Sequence, residues 1–289
     1  MLLDLSNDKQ LLLNNIVNDL KNIENITAIV VGGSYAEKME SPNSDIDLGI
    51  YYQESNPFDI NQIKHIANKY AIETPTVTEF YQWGIYVNGG AWITTAQTQI
   101  DLIYRNIGQV EQVIEKARKG EWENNYDQQP PYGFSSIIYL AETHVCIPLY
   151  DPTCIIANLK SLVENYPPML KESVIKQSLW AAEFSMWHAE IFARKQDAYN
   201  SSGCLSRAVK NIVTALYGIN ELYPMGDKRS LERLKNASKK PICLEERINK
   251  ILYLDKQSLA NNVVHLKELH KEVVGLCTSY IPFFKLPKK

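Results

Sequence analysis

The sequence predicts an α+β lobe followed by a helical bundle, on three observations. Short strand-like apolar runs fill the first hundred or so residues, helix-spaced patterns dominate after about residue 135, and a segment with two prolines and a glycine separates the two regimes. At 289 residues the chain is long enough for two ordinary domains, drawn here as 1–126 and 127–289. Its 45% hydrophobic and 22% charged residues are globular values.

The first lobe begins with helical spacing at Leu11, Leu12, Ile16 and Leu20, then the strand-like run 26–31 closed by Gly32-Gly33. A polar loop, Glu40 to Ser44, leads into the alternating run 45–52. Ile60, Ile63, Ile66 and Ala67 predict a helix over 58–70, with Pro57 suited to its first turn. Phe80–Tyr86 and Ala91–Thr95 flank Asn88-Gly89-Gly90, a hairpin signal, and 99–104 forms one more strand. A helix over 107–119 runs out to the linker Asp127–Gly133. Helices are then expected over 135–146, 153–165, 171–198, 203–222, 228–238, 243–254 and 256–278. Trp180, Phe184, Trp187 and Ile191 recur at helical spacing and are expected in the bundle core. The basic end, 285–289, reads as a solvated tail.

Several function classes lose support at once. A net charge of −3 argues against a surface for long nucleic acid. No run approaches the roughly 18 apolar residues of a membrane helix, and the stretch MLLDLSNDKQLLLNNIV reads as an amphipathic helix rather than a signal peptide. Five cysteines without a CxxC pair suggest no disulfide framework, so a reducing cytoplasm is expected. The histidines show no HExxH or HxxxH spacing for zinc. No P-loop lysine follows the glycines and no GxGxxG occurs, which removes the main support for kinase and dinucleotide readings.

What remains is acidic. In Asp45-Ile46-Asp47 the strand period of two sends both carboxylates to one face. Like charges so close repel, and a divalent cation is the usual remedy. Magnesium suits them, because it accepts one or two carboxylates and completes its shell with water and substrate phosphates. Asp101 lies on the strand 99–104, facing away from Ile100, Leu102 and Tyr104, and joins the pair if that strand lies alongside. Three carboxylates fit two-metal phosphoryl or nucleotidyl transfer, the third also able to take the hydroxyl proton. Gly32-Gly33-Ser34 lets backbone amides approach an anion, and Ser34 adds a hydroxyl donor.

The stretch GGSYAEKMESPNSDIDLGIYY resembles the DNA polymerase beta-like nucleotidyltransferases: a Gly-Gly-Ser turn, a gap of about ten residues, then Asp-x-Asp on a strand. That resemblance implies a nucleotidyltransferase fold, a small mixed sheet with flanking helices. It also implies a nucleoside triphosphate co-substrate, two Mg2+ ions on Asp45, Asp47 and Asp101, and a triphosphate held by Gly33 and Ser34. GGAWITTAQTQIDLIYRN, YGFSSIIYLAE, LYDP and GCLSRAVKNIVTALYGINELYPMGDK extend the likeness toward bacterial two-domain proteins such as the aminoglycoside nucleotidyltransferases. In such relatives a basic residue of the helical lobe reaches the nucleotide phosphates, for which Lys228, with Lys210 and Arg207 behind it, is the choice here. A general base on the helical domain, as some relatives place it, would fall on Glu142; a solvated helix face is its plainer reading.

The expected activity is transfer of a nucleotidyl group to a hydroxyl of a small molecule, antibiotic-like acceptors included. Two alternatives stand beside it: nucleotidylation of a partner protein in a toxin control pair, and nucleotide binding without turnover.

Overall fold

The computed structural model describes residues 4–41, 44–128, 131–255 and 258–280. Pro42-Asn43, the Gln129-Pro130 part of the predicted linker and the basic end lie outside the described residues. The chain forms two compact units, Met1–Glu115 with Ser136–Asn165, and Lys116–Ser135 with Tyr166–Lys289. Ser136–Asn165, which the sequence reading groups with the helical bundle, packs within the first unit.

The first unit runs α1 (Asn7–Leu20), β1 (Ala28–Val31), α2 (Gly33–Glu37), β2 (Ile46–Tyr52), α3 (Ile60–Tyr70), β3 (Thr76–Val77), β4 (Gly90–Thr94), β5 (Gln99–Asn106) and α4 (Ile107–Arg118), the last ending at the second unit. It resumes with α5 (Ile138–Val145), β6 (Ile147–Tyr150) and α6 (Ile155–Val163). Six strands form one mixed sheet in the order β3-β4-β5-β2-β1-β6, with β2 and β5 parallel and the other pairs antiparallel. One face buries Ile29, Val31, Ile46, Leu48, Ile50, Ile100 and Leu102 in a core shared with Leu13, Ile16 and Leu20 of α1 and Ile63 and Ala67 of α3. Both helices start on side-chain caps: Ser6 accepts from the Lys9 amide at 3.4 Å, and Asp59 from the Asn61 amide at 2.8 Å. The Asp59 cap starts α3 after Phe58, so Pro57 stands outside the helix.

Two local expectations differ from what forms. The β3–β4 connection is not a tight hairpin on Asn88-Gly89. Residues 78–89 form a pinned loop instead, with Tyr81 and Asn88 both at positive φ, 59° and 57°. Second, a strand, β6, fills the gap between the helices expected over 135–146 and 153–165, in a region read as almost purely helical. Pro148 removes one backbone donor, and the pairing register shifts between Ile29 and Val30, as an edge strand tolerates.

The second unit contains α7 (Pro168–Arg194), α8 (Ala198–Ile219), α9 (Ser230–Arg233), α10 (Leu244–Leu252) and α11 (Leu259–Leu276), with a two-residue ladder pairing 124–125 with 134–135. Its core joins Leu179, Ala182 and Ala189 of α7 to Leu205, Ile212 and Leu216 of α8 and Leu266, Leu269 and Val273 of α11. Trp180, Phe184 and Trp187 are not in that core; they are 50%, 39% and 38% exposed. Two stripes on α7 share one helical period, and the small one, Ala182, Ser185 and Ala189, is the one buried. The aromatics stack on one another outside, Trp180 and Phe184 with ring centroids 5.2 Å apart.

His270 of α11 is 7% exposed, and its Nε2 is buried without a hydrogen-bond partner. Burial holds its pKa below the ordinary value of 6.5, against a ring N–H donated to the Leu179 backbone, which favours the charged form. Below pH 6.5 the unfolded chain therefore takes up a proton that the folded chain refuses, and stability falls with falling pH until the lowered folded pKa is reached. Melts at pH 7.5, 6.5 and 5.5 should show that decline, and His270→Gln should flatten it. An unchanged slope in the variant would remove His270 as its cause.

Candidate active site

β1 ends in Gly32-Gly33, and two contacts tie this turn to β2. The Gly32 amide donates to the Asp47 carbonyl at 2.9 Å. Gly33 has φ +55°, and a Cβ built on it would sit 1.7 Å from Oδ2 of Asp47. The space a side chain would take at Gly33 is thus filled by the Asp47 carboxylate. Ser34 continues into the short helix α2, and its carbonyl accepts from the Met39 amide at 3.0 Å.

The parallel pairing of β2 with β5 sets Asp47 directly opposite Asp101. Register partners on neighbouring strands project to the same face, so Asp47 and Asp101 share the face turned away from α1 and α3. Asp45 precedes β2 by one residue, exposed. The loop before it is held at the Ser44 carbonyl, which accepts from Thr98 Oγ1 at 3.3 Å and Lys9 Nζ at 3.5 Å. These bonds fix the starts of β2 and β5 side by side. Gln99 Nε2 donates to Asp101 Oδ1 at 3.2 Å.

Among the described residues no group of three or more His, Cys, Asp or Glu side chains is gathered closely enough to enclose a metal ion. The fit for magnesium is therefore that of a cation taking one or two carboxylates and finishing its shell with water and phosphate oxygens. The oxygen-only donors of Asp45, Asp47 and Asp101 have the right chemistry for it.

Arg105 lies on the same face of β5 as Asp101, four residues further along the strand. Its Nε and Nη2 donate to Oε2 and Oε1 of Glu142 on α5 at 2.8 and 2.7 Å, and its guanidinium lies 5.3 Å from the Tyr139 ring centroid. Burial opposes the charge on Arg105, but the charge and hydrogen bonds of Glu142 outweigh it and raise its pKa. Both Glu142 oxygens are engaged, and α5 belongs to the first unit, so the suggestion of a general base on the helical lobe does not fit Glu142.

Lys228 is exposed and belongs to the second unit; its backbone carbonyl accepts from Arg233 Nη1. Lys210 lies in the same unit, where burial lowers its pKa and Asp227 partly offsets the effect. Its Nζ is 3.4 Å from Asn124 Oδ1.

Residues 14–78 match the family model for Polymerase beta, Nucleotidyltransferase. The matched segment holds Gly33, Ser34, Asp45 and Asp47 and ends before β5, so Asp101 enters through strand register alone. A nucleotidyltransferase-like protein from Exiguobacterium sibiricum 255-15 is similar in structure, with 9% identity and a TM-score of 0.47 over 95% of this chain and 78% of that one. A second similar structure is the Elizabethkingia meningoseptica CdnE cyclic dinucleotide synthase with GTP and Apcpp. It has 11% identity and a TM-score of 0.24 over 95% of this chain and 92% of the other. Curated proteins yield no match. Among the described residues no helix is long and apolar enough to cross a membrane.

Gly33→Ala should abolish turnover and leave the fold standing. Its Cβ would displace the Asp47 carboxylate, and its φ of +55° is strained for alanine. Gly32→Ala has nothing within 4 Å of its new Cβ and should keep activity. Pyrophosphate release and circular-dichroism melts compare the two; equal activity would remove the close approach from the site.

Proposed function

We propose that this protein moves a nucleotidyl group from a nucleoside triphosphate to a hydroxyl of a small molecule, with two magnesium ions divided among Asp45, Asp47 and Asp101, each ion taking one or two of the carboxylates. The observation that carries the reading is the register pairing of Asp47 with Asp101, with Gly33 closed against the same carboxylate. The acceptor oxygen bonds to the α-phosphorus, the bond from that phosphorus to the bridging oxygen breaks, and pyrophosphate leaves. Asp101 takes the hydroxyl proton. Gly33 and Ser34 hold the triphosphate, the backbone approaching it where no side chain intervenes. Bound magnesium would polarise the phosphates and offset the charge of the leaving group.

A small acceptor agrees with the net charge of −3, since a polynucleotide calls for a basic track. Free cysteines at 146, 154, 204, 243 and 277 agree with a reducing cytoplasm.

Incubation with each of the four triphosphates and a panel of hydroxyl compounds, with pyrophosphate detected, tests the reading. Release should require Mg2+ and stop with a chelator. Release that persists with the chelator would sink the metal-dependent reading, and label appearing on a protein would redirect it to protein nucleotidylation.

A further inference from the structure

The site as built describes the donor half of the reaction; the sheet next to Asp101 speaks to the acceptor half. Trp92 of β4 is the register partner of Asp101 and shares its face. Its indole lies over Gly90, where an added Cβ would come within 3.1 Å of Cη2. Trp83 stacks on Trp92 with ring centroids 4.3 Å apart and planes 28° from parallel, and is itself 46% exposed.

The loop that carries Trp83 is held on both sides of it. Tyr81, at φ 59°, bonds through its hydroxyl to Glu54 and accepts from Asn106 Nδ2 at 2.9 Å. Asn88, at φ 57°, donates to the Ile85 carbonyl at 3.0 Å and to Gln109 Oε1 at 2.7 Å. Its Oδ1 accepts from the Asn106 amide at 3.0 Å. Left-handed backbone at residues other than glycine persists only where the surroundings over-determine it, and such strain gathers at functional sites. Here the polar network mounts a large aromatic at the surface instead of in the core.

We propose that the Trp83–Trp92 stack is the acceptor platform of the transfer reaction, seating a ring with a flat, weakly polar face so that its hydroxyl lies toward Asp101. Two kinds of acceptor share that chemistry, a heteroaromatic base and the C–H face of a sugar ring. The inference rests on the transfer reading but is tested apart from it.

Calorimetric titration of the full chain without metal or triphosphate, using adenosine as one probe and kanamycin as the other, should show saturable binding of one. Trp83→Ala should weaken it by about 5- to 150-fold, the range of one base–aromatic stack, and Trp83→Phe should largely restore it. Pyrophosphate release is measured apart from this titration, so that a failure of the transfer chemistry registers separately from a failure of binding. Adenosine binding assigns the platform to a nucleoside-like acceptor and kanamycin binding to an amino sugar. Binding of neither, or equal binding by wild type and Trp83→Ala, overturns the proposal.

Discussion

Asp47→Asn is expected to lower magnesium-dependent pyrophosphate release by on the order of 10³-fold, as removal of one electrostatic stabiliser of a transition state does, while the melting temperature holds or rises slightly. The amide keeps the shape that fills the gap at Gly33 and leaves the backbone bond from Gly32 to the Asp47 carbonyl intact. What it removes is charge, beside Asp101 on the next strand. Asp101→Asn should behave alike. The double variant should be little worse than either single one, because groups acting as a unit are not additive. Normal turnover by Asp47→Asn would end the nucleotidyltransfer reading at this site.

Arg105→Met is expected to destabilise the first unit by about 3 kcal/mol, near the lower end for breaking a buried ion pair. The lower end applies because the Arg105 side chain is 9% exposed but that of Glu142 is 28% exposed, so water partly compensates the carboxylate left behind. The loss also removes the hydrogen bonds from Nη1 to the Val87 and Tyr104 carbonyls, at 3.2 and 3.0 Å. Adding Glu142→Leu should recover much of the stability, since an apolar pair avoids the stranded charge. Denaturant melts of the single and double variants measure this. If the double variant is no more stable than Arg105→Met, the stranded carboxylate is not the source of the loss.

The acidic pair was legible because a strand's period of two is written into Asp45-Ile46-Asp47, and the glycines before it mark a turn. Asp101 could be placed on a strand facing the right way, but not beside Asp47. That adjacency depends on β2 and β5 pairing in parallel across everything from α3 to β4, and register is set by tertiary packing rather than by local pattern. The aromatics of α7 misled for a related reason. Periodicity shows that a helix has faces without showing which is buried, and the small stripe around Ala182 and Ala189 wins because it lets α8 approach. Glu142 was read as a solvated helix face or a base, since nothing local to α5 announces Arg105 as its partner. In the 78–89 loop, Asn88-Gly89 supplied the left-handed residues of a tight turn, yet the bonds from Tyr81 and Asn106 spend them on a wider one.

The position of β6 bears on how the chain leaves the ribosome. β1 emerges early and meets β2 once Ile46–Tyr52 has followed it, but its other edge, Ile29-Val30-Val31, stays unpaired until 147–150 has been made. At roughly 5–20 residues per second that interval lasts on the order of ten seconds. Throughout it a short β-branched strand offers its backbone to any neighbouring chain, which is the circumstance in which nascent sheets aggregate. A fragment ending at the proline-rich segment would keep that edge open permanently, so recovering the acidic site in soluble form requires the chain through Tyr150.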